Sequence, residues 1–254
     1  MIMRLLRILA LPVVLLAIWY AASLGSENYY APPLRTILVS FVDTWTPQRL
    51  RADVLPSLGR LLAGYLLAAV LGVAIGVAVG VDARLRTAVE PVLEFFRAVP
   101  PPVLVPVIML FAGIGNGMKI IVIVSGCVWP VLLNTVEGVR GLDAVLGETA
   151  RAYGITGFSR LRHLVLPGAS PRIVTGLRQA LSIAIILMVI SEMFAASNGL
   201  GFTIVQFQRS FAIPEMWSGI ILLGLLGFAL SELFGLVERH VLGWYHGPRG
   251  DRHA

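Results

Sequence analysis

Long apolar runs separated by short polar segments dominate the pattern of this sequence. A bilayer core about 30 Å thick is crossed by about 20 helical residues, and six runs reach or approach that length. Prolines at the start of the third run, Pro100 to Pro102, predict a broken entry into it. The pattern predicts an all-α integral membrane protein with about six transmembrane helices. They lie at about Leu5–Leu24, Ser57–Val81, Val99–Ile114, Lys119–Val139, Ile173–Ala196 and Glu215–Glu238.

The connections between the runs predict orientation and domain boundaries. Most basic residues fall in segments that are cytoplasmic when the N-terminus is inside, so both termini are expected in the cytoplasm. We expect residues 1–56 to form the first transmembrane helix and an outer amphipathic segment, Leu34–Val42. Residues 57–240 then form the transmembrane domain, with a cytoplasmic loop at 140–172, and residues 241–254 form a short cytoplasmic tail.

Composition excludes several other classes of protein. Of the 254 residues, 57% are hydrophobic and 13% are charged, whereas soluble domains carry about 25% charged residues. An ordinary soluble enzyme and a disordered chain are therefore excluded. Cys127 is the only cysteine, which excludes a disulfide scaffold. The net charge of +6 comes from basic residues between apolar runs, which favours a lipid bilayer and not nucleic acid as the partner.

The sequence lacks the motifs of a catalytic site. A phosphate-binding Walker A loop requires Gly-Lys, and the only lysine, Lys119, follows Met118. The histidines do not have the spacing of metal ligands, and there is no G-x-S-x-G nucleophile motif. We therefore predict no catalytic residues and no metal site in this chain. Among ionisable residues in the runs, Glu192 is a candidate for the pathway or gate, with an ion pair or interfacial position as the alternative.

Small residues recur every four positions along the second run. Such a stripe lets two helix backbones approach closely in lipid. Packing within this chain, contact with a second copy and the lining of a pathway all remain open. The predicted helix-packing residues are Gly64, Ala68, Gly72, Gly76 and Gly80.

The loop at 140–172 predicts a pair of short helices. Asp143 suits the N-cap of the first helix, and Gly154 suits its C-terminal cap. A second amphipathic helix is expected to stop near Pro167. A helix pair held just outside the membrane has the form of a segment that docks in a groove of another protein.

This loop resembles the motif of binding-protein-dependent ABC importer permeases, which reads E-A-A, three residues, Gly, nine residues, Ile-x-Leu-Pro. Thr149 replaces the middle alanine and Leu164 replaces the isoleucine. In that family the helix that ends at the glycine docks on the ATPase. By resemblance the ATPase-coupling residues are Glu148, Thr149, Ala150, Tyr153, Gly154, Leu164, Leu166 and Pro167.

The resemblance extends along nearly the whole chain, and three segments are similar to the sulfonate, taurine and nitrate branch, namely Ala31–Pro33, Phe96–Pro100 and Ser197–Phe202. It implies the transmembrane-domain fold of a type I ABC importer in the bacterial inner membrane. The implied partners are a second permease copy, a cytoplasmic ATPase dimer that binds ATP and Mg, and an extracytoplasmic solute-binding protein. The implied substrate is an organic sulfonate, taurine or a nitrate-like anion, with a vitamin precursor or an aromatic carboxylate as the alternative.

A secondary carrier driven by an ion gradient is the alternative from another class of protein. Such a carrier requires paired ionisable residues near the membrane midplane. The sequence gives little sign of such pairs, and the absence of an internal repeat also counts against a carrier.

Overall fold

The computed structural model describes residues 14–15, 17–23, 28–194 and 196–245, apart from the side chain of Arg97. Most of the first predicted run, Leu5–Leu24, lies outside these residues, although 17–23 are helical. All regular secondary structure in the described residues is helical. The helices from residue 34 onward are α1 (Leu34–Thr44), α2 (Pro47–Val81), α3 (Ala83–Ala98), α4 (Leu104–Ala112), α5 (Asn116–Arg140), α6 (Ala144–Ala152), α7 (Gly157–Phe194), α8 (Leu200–Arg209) and α9 (Ile213–Val241).

Four of the described helices are long and apolar enough to cross a membrane, namely α2, α5, α7 and α9. A fifth span results if α3 and α4 are taken together, although the chain bends by 72° between them. The bend follows from the prolines at its centre, because Pro101 and Pro102 form a short 3₁₀ turn between the two helices. The predicted all-α membrane fold is confirmed, and the third predicted span is a broken one.

Two spans begin earlier than the apolar pattern predicts. Helix α2 starts at Pro47, ten residues before Ser57. Helix α7 starts at Gly157 and passes through Pro167, so the predicted stop near that proline is wrong. A wide π-helical turn at Leu161–Val165 ends two residues before the proline. Such a turn shifts the hydrogen-bond register, which lets the helix accommodate a residue without an N–H group.

The chain divides into two compact units, of which the first comprises residues up to Pro56 together with Ser197–Leu225. It contains α1, which the amphipathic stretch predicts, and α8, which the apolar pattern does not. The buried Trp45 donates its indole N–H to Ser218 Oγ at 3.1 Å. Asp53 accepts a hydrogen bond from the backbone N–H of Gly199, at the start of α8.

The second unit comprises Ser57–Ala196 and Leu226–Ala254. Its helices α2, α3 and α5 share an apolar cluster built on Val79, Leu93, Leu132 and Val136. Phe96 of α3 stacks on Trp129 of α5, with ring centroids 5.7 Å apart. A second cluster joins α5 and α7 through Val139, Val165 and Ala169. These clusters fix α5 at the centre of the helices that carry the candidate sites.

Candidate functional site

The small-residue stripe of α2 lies directly against α5. At four of its glycines, an added Cβ would approach a Cβ of α5 to 2.6–2.7 Å, closer than real Cβ atoms come. The facing residues are β-branched, and their side chains occupy the space that the glycines leave open. Because this contact lies within one chain, it accounts for the stripe without a second copy. The opposed pairs are Gly64 with Ile123, Gly72 with Val131, Gly76 with Thr135 and Gly80 with Val139, and Ala68 is fully buried in the same stripe.

Helix α6 is closed at both ends by the residues that the sequence assigns to its caps. The Asp143 carboxylate accepts a hydrogen bond from the backbone N–H of Val145 at 2.8 Å. At the other end Gly154 has φ +70°, the left-handed conformation that favours glycine. The N–H groups of Gly154 and Ile155 donate to the carbonyls of Arg151 and Ala150, which completes a Schellman motif. The predicted caps of α6 are confirmed.

The family-motif residues of α6 divide between a buried contact and an exposed surface. Ala150 is buried, whereas Glu148 is exposed and Tyr153 is 80% exposed. The Thr149 hydroxyl donates to the carbonyl of Val145 in its own helix at 2.8 Å. The departure from alanine at this position therefore leaves no unpaired hydroxyl. Val145 and Leu146 are also exposed, so α6 presents apolar side chains, beside charged ones, that no described element covers.

A cavity of about 180 Å³ separates α6 from the helices beneath it. Gly80, Val139 and Leu164 are among its lining residues, so the cavity reaches the end of the α2–α5 contact. Leu166 lines an apolar groove on α2 and α7, while Pro167 is exposed. The structure thus places the first half of the motif on α6 and the second half at the start of α7.

Glu192 is fully buried near the end of α7, and its carboxylate is paired. Arg60 Nη1 of α2 donates to Glu192 Oε1 at 2.6 Å. Ser57 Oγ lies 2.8 Å from one carboxylate oxygen and 2.9 Å from the other. Burying a carboxylate is unfavourable unless it is paired and hydrogen-bonded, and these contacts meet that requirement. The ion-pair alternative for Glu192 is therefore the one that the structure displays.

Two residues at the start of α5 extend this buried polar cluster. Arg60 Nε donates to Asn116 Oδ1 at 2.8 Å, and Lys119 lies one turn further along α5 and is only 4% exposed. The sequence analysis included Arg60 and Lys119 at the starts of the second and fourth predicted spans without predicting a partner for either, and so missed the cluster. The sequence signal for the cluster was the presence of charged residues at the edges of apolar runs. A charged side chain within a membrane segment is energetically costly, and it is found mostly where it pairs with another group or has a functional role.

The comparison with known families decides the class of this protein. The family model described as "Binding-protein-dependent transport system inner membrane component" matches residues 64–243. The chain belongs to this family. It is also 32% identical over 245 residues to the "Putative aliphatic sulfonates transport permease protein SsuC" of Bacillus subtilis (strain 168), covering 95% of this chain and 88% of that protein. The "Nitrate import permease protein NrtB" of Leptolyngbya laminosa is 30% identical over 237 residues, covering 90% and 85%.

A solved structure supports the fold of this permease. A chain from the inward-facing MetNI methionine ABC transporter aligns with a TM-score of 0.60 at 22% identity, covering 77% of the permease and 99% of that chain. At this identity the likeness concerns the fold, which is that of a type I ABC importer transmembrane domain. The chain is therefore a multi-pass membrane protein and the non-catalytic permease subunit of an ABC importer for small solutes.

Proposed function

We propose that this permease imports a small anion across the bacterial inner membrane. An organic sulfonate, taurine or a nitrate-like anion is delivered by an extracytoplasmic binding protein. Two copies of the permease form the pathway, and a cytoplasmic ATPase dimer supplies the energy by hydrolysing ATP. Both termini lie in the cytoplasm. The single observation that carries this proposal is the capped, exposed helix α6 on a member of the permease family.

The surface of α6 supports its proposed role as the contact with the ATPase. Val145, Leu146 and Tyr153 expose apolar area, and exposed apolar patches commonly mark protein–protein contacts. The helix is fixed by its own caps, so its conformation does not depend on the partner. The cavity between α6 and the bundle leaves room for α6 to move when the partner changes shape.

The proposed substrate class rests on the relatives, whose names refer to aliphatic sulfonates and to nitrate. These solutes share a small oxyanion group. An uptake assay tests the class directly. The permease is reconstituted in liposomes with its ATPase and binding protein, and ATP-dependent uptake of labelled ethanesulfonate, taurine and nitrate is measured. Uptake of an aromatic carboxylate or a vitamin precursor, with none of these three, would assign the other substrate class.

The role of α6 is tested at Gly154, because a left-handed residue other than glycine costs about 1–2 kcal/mol. Replacing Gly154 by alanine adds no steric contact, since nothing lies within 4 Å of the added Cβ. The Gly154→Ala change is expected to lower binding-protein-stimulated ATP hydrolysis by about 5- to 30-fold, which is that energy converted at 1.4 kcal/mol per tenfold.

Gly147→Ala is the matched control, because Gly147 lies within α6 and an added Cβ there makes only an ordinary contact at 3.8 Å. We expect this variant to retain stimulation. Equal stimulation in the Gly154→Ala variant and the native complex would remove α6 from the coupling role.

A further inference from the structure

The cavity beneath α6 has a buried cationic donor without an acceptor. Arg160, near the start of α7, lines this cavity of about 180 Å³. Its Nε is buried and has no hydrogen-bond partner among the described residues. The salt bridges formed within this part of the chain do not involve Arg160 either. A buried donor on a charged group is unfavourable when it stays unpaired, so an acceptor from outside the chain would stabilise it.

A second guanidinium group lines the same cavity from the neighbouring helix. Arg151 of α6 donates through Nε to the carbonyl oxygen of Gly147 at 3.4 Å. Nη2 of Arg160 lies 3.8 Å from the position of a Cβ added at the same glycine. The two guanidinium groups therefore converge near Gly147, although one is carried by α6 and the other by α7.

The charged side chains around the cavity carry an excess of positive charge. Among the described lining residues, one carboxylate, that of Asp143, opposes Arg151 and Arg160. This carboxylate already accepts a hydrogen bond from the backbone N–H of Val145. The remaining lining residues are glycines and aliphatic residues. The cavity is thus suited to an anion and not to a cation.

The guanidinium group also indicates the kind of anion. Its N–H groups form a planar fork that matches two oxygens of a phosphate or sulfonate. A cavity of about 150 Å³ can hold a benzene molecule, so there is room here for a tetrahedral oxyanion. We propose that the cavity binds a small tetrahedral oxyanion, a phosphate or a sulfonate, between Arg151 and Arg160. A free anion and the phosphate of a lipid headgroup share this chemistry, and the experiment separates them.

A bound oxyanion would connect α6 to α7 and thereby regulate transport. This part of the inference rests on the proposed function, in which α6 contacts the ATPase and moves in each cycle. A ligand stabilises the arrangement that it binds, so the anion favours the present position of α6 and slows its departure. At ten times its Kd the anion favours that position by about tenfold.

Amide hydrogen exchange in α6 tests the site in the nucleotide-free permease–ATPase complex in phospholipid nanodiscs. The probe is inorganic phosphate, compared with chloride at equal ionic strength. We expect phosphate at ten times its half-saturating concentration to slow exchange in α6 by about tenfold. Sulfate should act in the same way. Equal slowing by uncharged dimethyl sulfone would overturn the site.

Two variants locate the effect of phosphate. Arg160→Gln should raise the half-saturating phosphate concentration at least about tenfold, because charge-assisted hydrogen bonds are lost. Arg151→Gln should act in the same direction, and it tests the site even if Arg160→Gln does not fold, because Arg151 is exposed. Arg162→Gln is the matched control, since Arg162 is an exposed cation of α7 outside the lining of the cavity. Equal slowing in all three variants would place the phosphate on the ATPase and overturn the site.

The source of the oxyanion is decided in phosphate-free buffer. If a lipid headgroup occupies the cavity, added phosphate has no effect. The Arg160→Gln and Arg151→Gln variants then exchange faster in α6 than Arg162→Gln does in phospholipid nanodiscs, and this difference disappears in maltoside micelles. Absence of both the phosphate effect and this lipid effect would overturn the oxyanion site.

Binding-protein-stimulated ATP hydrolysis measures the regulatory consequence. Inhibition by phosphate at the ATPase itself is common to the native complex and the variants. Free phosphate at ten times its half-saturating concentration should therefore slow the native complex about tenfold more than Arg151→Gln, and equal slowing would overturn the regulation. If phosphate acts on α6 through both arginines but Gly154→Ala retains full stimulation, the coupling role of α6 is wrong and the anion site stands. If neither phosphate nor lipid acts there while the transporter imports ethanesulfonate or nitrate, the anion site is wrong and the proposed function stands.

Discussion

The contact between α2 and α5 allows the stability of the bundle to be tested at a single methyl group. In a Gly76→Ala variant the new Cβ would lie 2.6 Å from Thr135 Cβ and 2.8 Å from the carbonyl oxygen of Leu132. Ordinary contact begins at 3.4 Å. Thr135 is β-branched and stiff, and the other obstacle is backbone. The two helices must therefore separate locally by roughly 0.8 Å, and overpacking of this kind costs about 1–3 kcal/mol.

The only cysteine provides the assay for this change. Cys127 is fully buried on α5, where its thiol hydrogen-bonds to the carbonyl of Ala180. A maleimide dye reacts with it only when the packing opens. If opening is fast, the labelling rate follows the opening equilibrium. The Gly76→Ala variant is therefore expected to label about 5- to 150-fold faster, which is the packing cost converted at 1.4 kcal/mol per tenfold.

Gly59→Ala on the same helix provides the control. An added Cβ at Gly59 meets nothing within 4 Å, and alanine favours a helix by about 1 kcal/mol over glycine. This variant should label no faster than the native protein. If Gly76→Ala also labels at the native rate, the backbones of α2 and α5 are not in the close contact described here.

Two further predictions concern the ion pair and the cap of α6. Glu192→Gln should destabilise the bundle by about 3–5 kcal/mol, because it leaves Arg60 buried without its carboxylate. The double variant Arg60→Met/Glu192→Leu should recover most of that loss, measured by thiol labelling. A double variant as unstable as the single one would contradict this prediction. Asp143→Ala should weaken α6 by about 1 kcal/mol, because a backbone N–H loses its acceptor. Amide hydrogen exchange across α6 measures this, with Asp143→Ser as the control that keeps an acceptor, and unchanged exchange in the alanine variant would refute it.

The features that were predicted correctly from the sequence depend on residues that are close together in the chain. The four-residue spacing from Gly64 to Gly80 requires only that the segment is helical for these residues to share one face. The caps of α6 likewise follow from the hydrogen bond that the Asp143 side chain can accept and from the left-handed backbone conformation that Gly154 can adopt. These properties belong to a few neighbouring residues, so the sequence contains the information directly.

The buried polar cluster was not predictable in the same way. Arg60 and Glu192 are 132 positions apart, and their pairing depends on how α2 and α7 pack. Taken alone, Arg60 has the character of a residue at the membrane surface. Lys119 is the first residue of the fourth predicted span, a position from which no burial or partner could be predicted. The tertiary arrangement, which no local pattern encodes, is what buries them together.

The continuity of α7 through Pro167 was also missed, for a different reason. Proline normally ends a helix because it lacks an N–H group and its ring clashes with a carbonyl one turn back. The wide turn at Leu161–Val165 relieves this conflict. The composition of these five residues does not predict such a turn.

Helix α7 has a mechanical consequence for the permease. Its 38 residues correspond to a length of about 57 Å at 1.5 Å per residue, nearly twice the hydrocarbon thickness of a bilayer of about 30 Å. Gly157 stands at one end, next to the turn that closes α6, and Glu192 stands close to the other. The helix is continuous between these two positions, so a displacement applied at the loop is transmitted to the buried carboxylate along one helix, through the wide turn at Leu161–Val165 and past Pro167.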